Sequence, residues 1–226
     1  MYQLRNVPTG IISDTHFPGH VDGALDFVLW VGDTWGIEQW VHVGDLIDHH
    51  YISRHPTEPE ALNPIQEVQA AKDELARWVK AIPEMYICTN SHDRIPERRA
   101  KELGMPDLFL RSINEVYNLP DSWRWHDRYK LFDRTIISHG LGSTGMYAAK
   151  NTAKILGCSF IQGHTHAHGA VFDLPRPTGD CCAMNVGCLM DEHKYHAKYG
   201  ENYKTPVSLG MGVALADDEM YFVKYR

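Results

Sequence analysis

Four short segments, far apart in the chain, carry side chains suited to metal ions: Asp14-Thr15-His16, Gly44-Asp45-Leu46-Ile47-Asp48, Ser138-His139-Gly140 and Gly163-His164-Thr165-His166. A fifth, Asn90-Ser91-His92-Asp93, nearly completes the set. Imidazole mixed with carboxylate favours Mn, Fe, Zn, Co or Ni over Ca or Mg alone. The donors are too many for one tetrahedral ion and suit two. In Asp-x-His the side chains lie two residues apart, on one side of extended chain, so both can reach one ion. His164 and His166 repeat that spacing. Asp45 follows a glycine, which lets backbone approach closely, and is the natural carboxylate to bridge two ions. Two ions about 3.5–4 Å apart grip a phosphoryl oxygen and acidify a bridging water, whose hydroxide attacks phosphorus in line. His92, next to its ligand segment, is placed to protonate the leaving oxygen.

Apolar, β-branched runs precede several of these segments, which puts the ligands where strands end. Loops at strand ends converge on one edge of an α/β sheet. Strands are expected over 7–13, 40–43, 85–88, 129–132, 135–138 and 159–162, each but one leading towards a ligand segment. The pair at 129–138 turns at Asp133-Arg134, a hairpin signal. Helices are expected over 21–30, 94–103 and 146–156. A further helix starts at Asn63-Pro64, with Asn as cap and Pro in the first turn, and ends before Pro83. The last third reads as strands over 170–173, 181–186, 207–215 and 220–224. The expected architecture is α/β, mixed sheets with flanking helices, in a single domain spanning 1–226.

The composition sets limits on function. With 226 residues, 43% hydrophobic and 23% charged, the chain reads as soluble and globular. A net charge of −7 argues against long, non-specific clamping of nucleic acid. It leaves room for a nucleotide or a nucleic-acid end, because bound cations would cancel part of it. Cys88, Cys158, Cys181, Cys182 and Cys188 form no disulfide spacing and no Cys-x-x-Cys pair, so buried thiols in a reducing, cytoplasmic setting are expected. No signal peptide and no membrane span is expected.

The ordered set of motifs resembles the calcineurin-like metallophosphoesterase superfamily, whose pattern is Asp-x-His, Gly-Asp-x-x-Asp, Gly-Asn-His-Asp/Glu, a lone His and Gly-His-x-His. The likeness runs from Asp14 to Asn185-Val186-Gly187. The context around 94–127, with Phe109-Leu110-Arg111-Ser112 and Trp125-His126-Asp127, is similar to phosphoesterases encoded by bacteriophages, which would place the protein in the host cytoplasm. The resemblance implies a sandwich of two mixed β-sheets flanked by helices. It implies that Asp14, His16 and His166 hold a first ion, His139 and His164 a second, and Asp45 bridges them. Mn is the leading metal, with Fe, Zn, Ni and Co as alternatives. His92 would be the acid, or the group stabilising the transition state, steadied by Asp48.

One departure concerns the second ion. Counting back from His92-Asp93 puts Ser91 where the family has its Asn ligand, with Asn90 one place earlier. Either the loop bulges and brings in Asn90, or Ser91 ligates weakly or through water. Arg94, Arg98 and Arg99 could form a phosphate-binding rim, Arg94 first among them; otherwise they pair with Glu97 and Glu102 on a solvated helix face. Trp123 and Trp125 could stack a base, though packing is the simpler role. His49 and His50 either meet substrate or sit exposed in a loop.

The reading is therefore a dinuclear-metal phosphoesterase. The serine/threonine phosphatase branch is disfavoured, since Phe17 follows His16, His49-His50 follows Asp48 and Asp93 follows His92. Phosphodiesters of nucleotide or nucleic-acid origin come first as substrate. A phosphomonoesterase, or a protein-binding scaffold with weakened metal binding, is the alternative.

Overall fold

A computed structural model describes residues 1–54, 59–90, 92–175, 179–194 and 205–226. In chain order the elements are β1 (Tyr2–Gln3), β2 (Thr9–Ile12), α1 (Ala24–Trp35), β3 (Gln39–His42), α2 (Pro64–Ala81), β4 (Met85–Cys88), α3 (Ile95–Glu102), α4 (Ile113–Tyr117), β5 (Trp123–His126), β6 (Tyr129–Leu131), β7 (Thr135–Ile137), α5 (Ala148–Leu156), β8 (Ser159–Gln162), β9 (Gly169–Leu174), β10 (Cys181–Val186), β11 (Gly210–Ala216) and β12 (Glu219–Lys224). The strands form two mixed six-stranded sheets, ordered β1-β6-β7-β8-β10-β9 and β12-β11-β2-β3-β4-β5.

The sheets face each other, and strand alternation explains the layering. Ile11, Val41, Tyr86 and Cys88 of one sheet pack with Tyr129, Ile137, Ile161 and Met184 of the other. The alternate residues Ile12, Met85, Ile87 and Val213 point outward, against Val28 and Val31 of α1 and Leu75 and Trp78 of α2. Phe160 and Ala183 on the far side of the other sheet meet Ala149 and Ala153 of α5. Strands buried on both faces need no polar face, which is why β4, Met85-Tyr86-Ile87-Cys88, is nearly all apolar. Among the described residues no helix is long and apolar enough to cross a membrane.

Local chemistry sets the helix limits. Asn63 Oδ1 accepts from the N–H groups of Ile65 and Gln66, and the Gln66 side chain returns to the Asn63 N–H. This capping box starts α2. Helix α1 begins and ends later than the apolar pattern suggests, bracketed by Gly23 and Gly36, both left-handed. Three elements were not expected, namely β1, α4 and β5. Ser112 and Glu115 build a capping box for α4, and β5 is an edge strand paired only through β4.

The placement of the motifs follows from the topology. Strands β2, β3, β4 and β5 run parallel, as do β7 and β8. Asp14 follows β2, Asp45 follows β3, Asn90 to Asp93 follow β4, His139 follows β7 and His164 follows β8.

Candidate metal centre

The loop carrying Asp14 and His16 lies beside the loop carrying Asp45, because parallel pairing continues past the strand ends. Val43 N–H donates to Ile12 O (2.7 Å), Asp14 N–H to Gly44 O (3.0 Å), His16 N–H to Asp45 O (3.0 Å) and Phe17 N–H to Leu46 O (2.8 Å). The backbone here is far from regular strand. Asp14, His16, Asp45 and His164 all have positive φ, between 49° and 66°. Such left-handed conformations cost of order 1–3 kcal/mol each and cluster where surrounding structure holds functional groups in place.

Two groups of donors form around the shared Asp45, and a third joins His16, Asp48 and His92. Asp14, His16, Asp45 and His166 each offer an atom within 4.8 Å of the others, and so do Asp45, His139 and His164. Asp45 belongs to both groups. Within them, His166 Nε2 lies 2.8 Å from Asp14 Oδ1. Asp45 Oδ2 lies 3.2 Å from His139 Nε2 and 3.7 Å from His16 Nε2. The rings of His139 and His164 stand 5.1 Å apart.

The outer hydrogen bonds orient these ligands. His139 Nδ1–H donates to Val43 O (3.0 Å), which turns Nε2 towards Asp45. His16 Nδ1–H donates to Asp48 Oδ1 (3.0 Å) and leaves Nε2 free to ligate. An imidazole held this way by carboxylate or carbonyl is the usual setting of a metal-bound histidine. Asp14 accepts from Ser13 Oγ–H and from the N–H of His164 (3.0 Å to Oδ2).

The site suits divalent cations. His16 Nε2 and Asp45 Oδ1 are buried and have no hydrogen-bond partner. A buried polar atom left so is costly, and a cation between the groups would satisfy both. Charge points the same way. Burial works to raise the Asp45 carboxyl, but His139 holds it well below the usual range. Burial likewise opposes the charge on His139, yet the Asp45 and Asp14 carboxylates draw a proton onto it, raising its pKa to about 10. His166 is raised in the same manner by Asp14. Two buried carboxylates thus collect positive charge as protons, and divalent ions would supply it instead.

Around His92 the contacts come from both parts of Asp48. Its backbone carbonyl bonds His92 Nε2, and its Oδ1, which bonds His16 Nδ1, lies 3.9 Å from that nitrogen. Asn90 Oδ1 accepts from the N–H of His92 (2.7 Å) and of Asp93 (2.9 Å), while its Nδ2 donates to Asp93 Oδ2 (2.6 Å). Two donors meet the oxygen and an acceptor meets the nitrogen, which sets the orientation of the amide. Of the two residues expected to offer the second ion an oxygen, Asn90 here uses its own to shape the turn that carries His92. Ser91 lies outside the described residues.

Other expectations resolve by burial. His49 and His50 are buried rather than exposed; burial pushes His49 down to about 4, and its Nδ1 meets the Tyr117 hydroxyl at 3.4 Å. Trp123 is buried and donates to Ile82 O (3.0 Å), and Trp125 donates to Asn114 Oδ1 (2.8 Å), so both are packing residues. Arg94 and Arg99 make the helix-face pairs with Glu97 (2.6 Å) and Glu102 (3.1 Å). Arg94 also lines, with Thr89, Asn90, Arg98 and Lys101, a cavity of about 440 Å³ on the His92 side. Cys181 packs towards α5 and Cys182 between the sheets, so the two thiols face opposite ways.

Three residues shape the site without having been assigned a role from the sequence: Asp93 and Thr15 lie inside the motifs, and His42 lies outside them. Asp93 accepts from Ile47 N–H (2.9 Å) and ties the Asp45 loop to the His92 turn. Thr15 and His42 connect the first two ligand loops. His42 could have been noticed as a polar residue ending an otherwise apolar buried strand.

No protein-family profile and no curated protein sequence matches the chain. Several solved structures align along nearly its whole length. YfcE, a phosphoesterase from E. coli, is 16% identical over 96% of this chain and 99% of its own, with a TM-score of 0.44. A single mutant of Vps29 from Entamoeba histolytica is 12% identical over 97% and 100%, with a TM-score of 0.39. Vacuolar Protein Sorting 29 from Cryptosporidium parvum is 11% identical over 97% and 96%, with a TM-score of 0.44.

Proposed function

We propose that the protein hydrolyses phosphate esters, phosphodiesters before monoesters, at a centre of two divalent cations. The observation that carries this reading is the convergence of Asp14, His16, His166, His139 and His164 around one shared carboxylate, Asp45. Asp14, His16 and His166 would hold one cation, His139 and His164 the other, and Asp45 would touch both. Mn²⁺ fits this donor set, as do Fe, Zn, Co and Ni. When bound, the pair would neutralise phosphoryl charge and supply a nucleophile at neutral pH.

The chain's own residues perform the rest. His92 is half-buried at the edge of the donor groups, its ring 4.8 Å from that of His16. Asp48 O engages Nε2, so Nδ1–H is the proton available to a leaving oxygen. Burial opposes the imidazolium, but Asp45 and Asp48 raise its pKa, as an acid requires. A diester's alkoxide leaves poorly and gains most from this proton. The Arg94 cavity reaches Asn90 in the His92 turn, and Arg94 can exchange its surface pair with Glu97, worth roughly 0–1 kcal/mol, for a substrate oxygen.

The test is hydrolysis of bis(4-nitrophenyl) phosphate and 4-nitrophenyl phosphate by protein reloaded with Mn²⁺. Turnover of the diester above the monoester, abolished by chelator and by Asp45→Asn, supports the reading. Mn²⁺ binding without turnover of either ester would favour a scaffold role.

A further inference from the structure

The ring of His42 stands between two ligand loops and belongs to neither donor group. It ends β3, level with Ile12 at the end of β2, and is buried. Its Nδ1 accepts from Gly44 N–H at 3.2 Å. The proton must then reside on Nε2, which donates to Thr15 Oγ1 at 3.0 Å. The Thr15 hydroxyl donates onward to Leu46 O at 3.2 Å. The bonds form a closed circuit from the Asp45 loop, across to the loop of Asp14 and His16, and back. Each has one donor and one acceptor, and no other arrangement of the protons satisfies all three.

The circuit touches the residues next to the ligands. Gly44 precedes Asp45, Leu46 follows it, and Thr15 lies between Asp14 and His16. These ligands sit in left-handed backbone, with Gly44 itself at φ 109°, so relaxation of either loop would swing a carboxylate or an imidazole. Ordinary β-pairing cannot prevent this, because it fixes backbone spacing but not the turn between ligands.

We infer that His42, through Thr15 and Gly44, is a positioning residue that holds the turns of the Asp14–His16 and Asp45 loops and thereby the affinity of the cation pair. Burial keeps the ring neutral, its pKa pushed down to about 3, so the lock holds across the physiological range without changing its donor pattern. The inference rests on the two-cation reading of the site and adds a determinant lying behind the ligands.

Side-chain geometry supplies graded variants. His42→Asn places an acceptor near the Nδ1 position, keeping the bond from Gly44 but not the reach to Thr15. His42→Gln places an amide N–H near the Nε2 position and keeps only the Thr15 bond. His42→Leu keeps neither, and Thr15→Val removes the hydroxyl while preserving shape. Outer hydrogen-bond partners of metal ligands typically contribute about 10–100-fold in metal affinity.

The experiment is calorimetric titration of Mn²⁺ into metal-free protein, with thermal melting of the same samples. Thr15→Val and His42→Leu should weaken Mn²⁺ binding about 10-fold or more, with His42→Asn and His42→Gln falling between them and wild type. Should His42→Leu fail to fold, Thr15→Val and the two amides carry the comparison. Folded variants that melt earlier yet bind Mn²⁺ as wild type does would overturn the inference, showing His42 to be packing alone. Wild-type protein that takes up no Mn²⁺ would instead overturn the two-cation reading.

Discussion

Gly163 offers a sharp test of how tightly the first donor group is built. A Cβ at this position would stand 1.9 Å from Ser13 Oγ, 2.5 Å from Asp14 Oδ2 and 3.1 Å from Ser13 Cβ. The Ser13 hydroxyl can rotate away, but the Asp14 carboxylate cannot. Its Oδ1 pairs with His166, and its Oδ2 accepts from His164 N–H. Gly163→Ala must therefore push the carboxylate off its partners or shift the end of β8. Overpacking of this kind costs about 1–3 kcal/mol. At about 2–4 °C per kcal/mol for a chain of this size, the melting temperature should fall by roughly 2–12 °C. The larger consequence is on metal. Moving a ligand carboxylate should weaken Mn²⁺ binding at least as much as losing an outer hydrogen bond, by about 10–100-fold. Gly36→Ala is the control. Its φ is +61° and nothing lies within 4 Å of the added carbon, so it should cost about 1–2 kcal/mol of backbone strain and leave Mn²⁺ binding alone. Calorimetry and melting on both variants decide the matter. If Gly163→Ala matched Gly36→Ala in melting and bound Mn²⁺ like wild type, the reasoning about Asp14 would be refuted.

His92→Ala should lower turnover of diesters with alkyl leaving groups by about 10²–10⁴-fold and matter far less for nitrophenyl esters, whose anion needs little help; equal losses on both would assign His92 to phosphate binding. Asn90→Ala should loosen the His92 turn and cut turnover while leaving two Mn²⁺ steps in place, since its oxygen is occupied by backbone N–H groups. Loss of the second Mn²⁺ step would show instead that Asn90 rotates to ligate. Glu67 provides a pH signature, because burial and then the Asp48 charge push its carboxyl from 4.5 up to about 7. Between those values the unfolded chain releases the proton and the folded one keeps it, so stability falls as pH rises through this window and levels off above it. In Glu67→Gln that decline, at most about 3 kcal/mol, should vanish from urea unfolding measured at pH 5 and pH 8 in chelator; an unchanged slope would contradict the burial argument.

Which residues can meet is legible along the chain. Each motif pairs an apolar run with a polar ligand, and both signals are local. The run becomes a strand buried on two faces, and the ligand falls at its end. Parallel neighbours then leave those ends on one side, which brings Asp14, Asp45, His139 and His164 together. Elements lacking such contrast were less legible. The short β1, the edge strand β5 and the one-turn α4 draw their stability from partners such as Tyr129, Ile82 and Asn114, whose nearness no local pattern announces.

Which atom bonds which emerges only on folding. Asp48 hydrogen-bonds His16 through its carboxylate and His92 through its main-chain carbonyl. Asn90 turns its oxygen to two backbone N–H groups. His49 and His50 go inside, and His42 closes a circuit with Thr15. In each case the alternatives are the same residue type at nearly the same place. Hydrogen bonds weaken over a few tenths of an ångström and with modest misalignment, so the choice rests on how far apart two remote segments come to lie. That distance is set by packing between sheets and helices, and it exists only once the chain has folded.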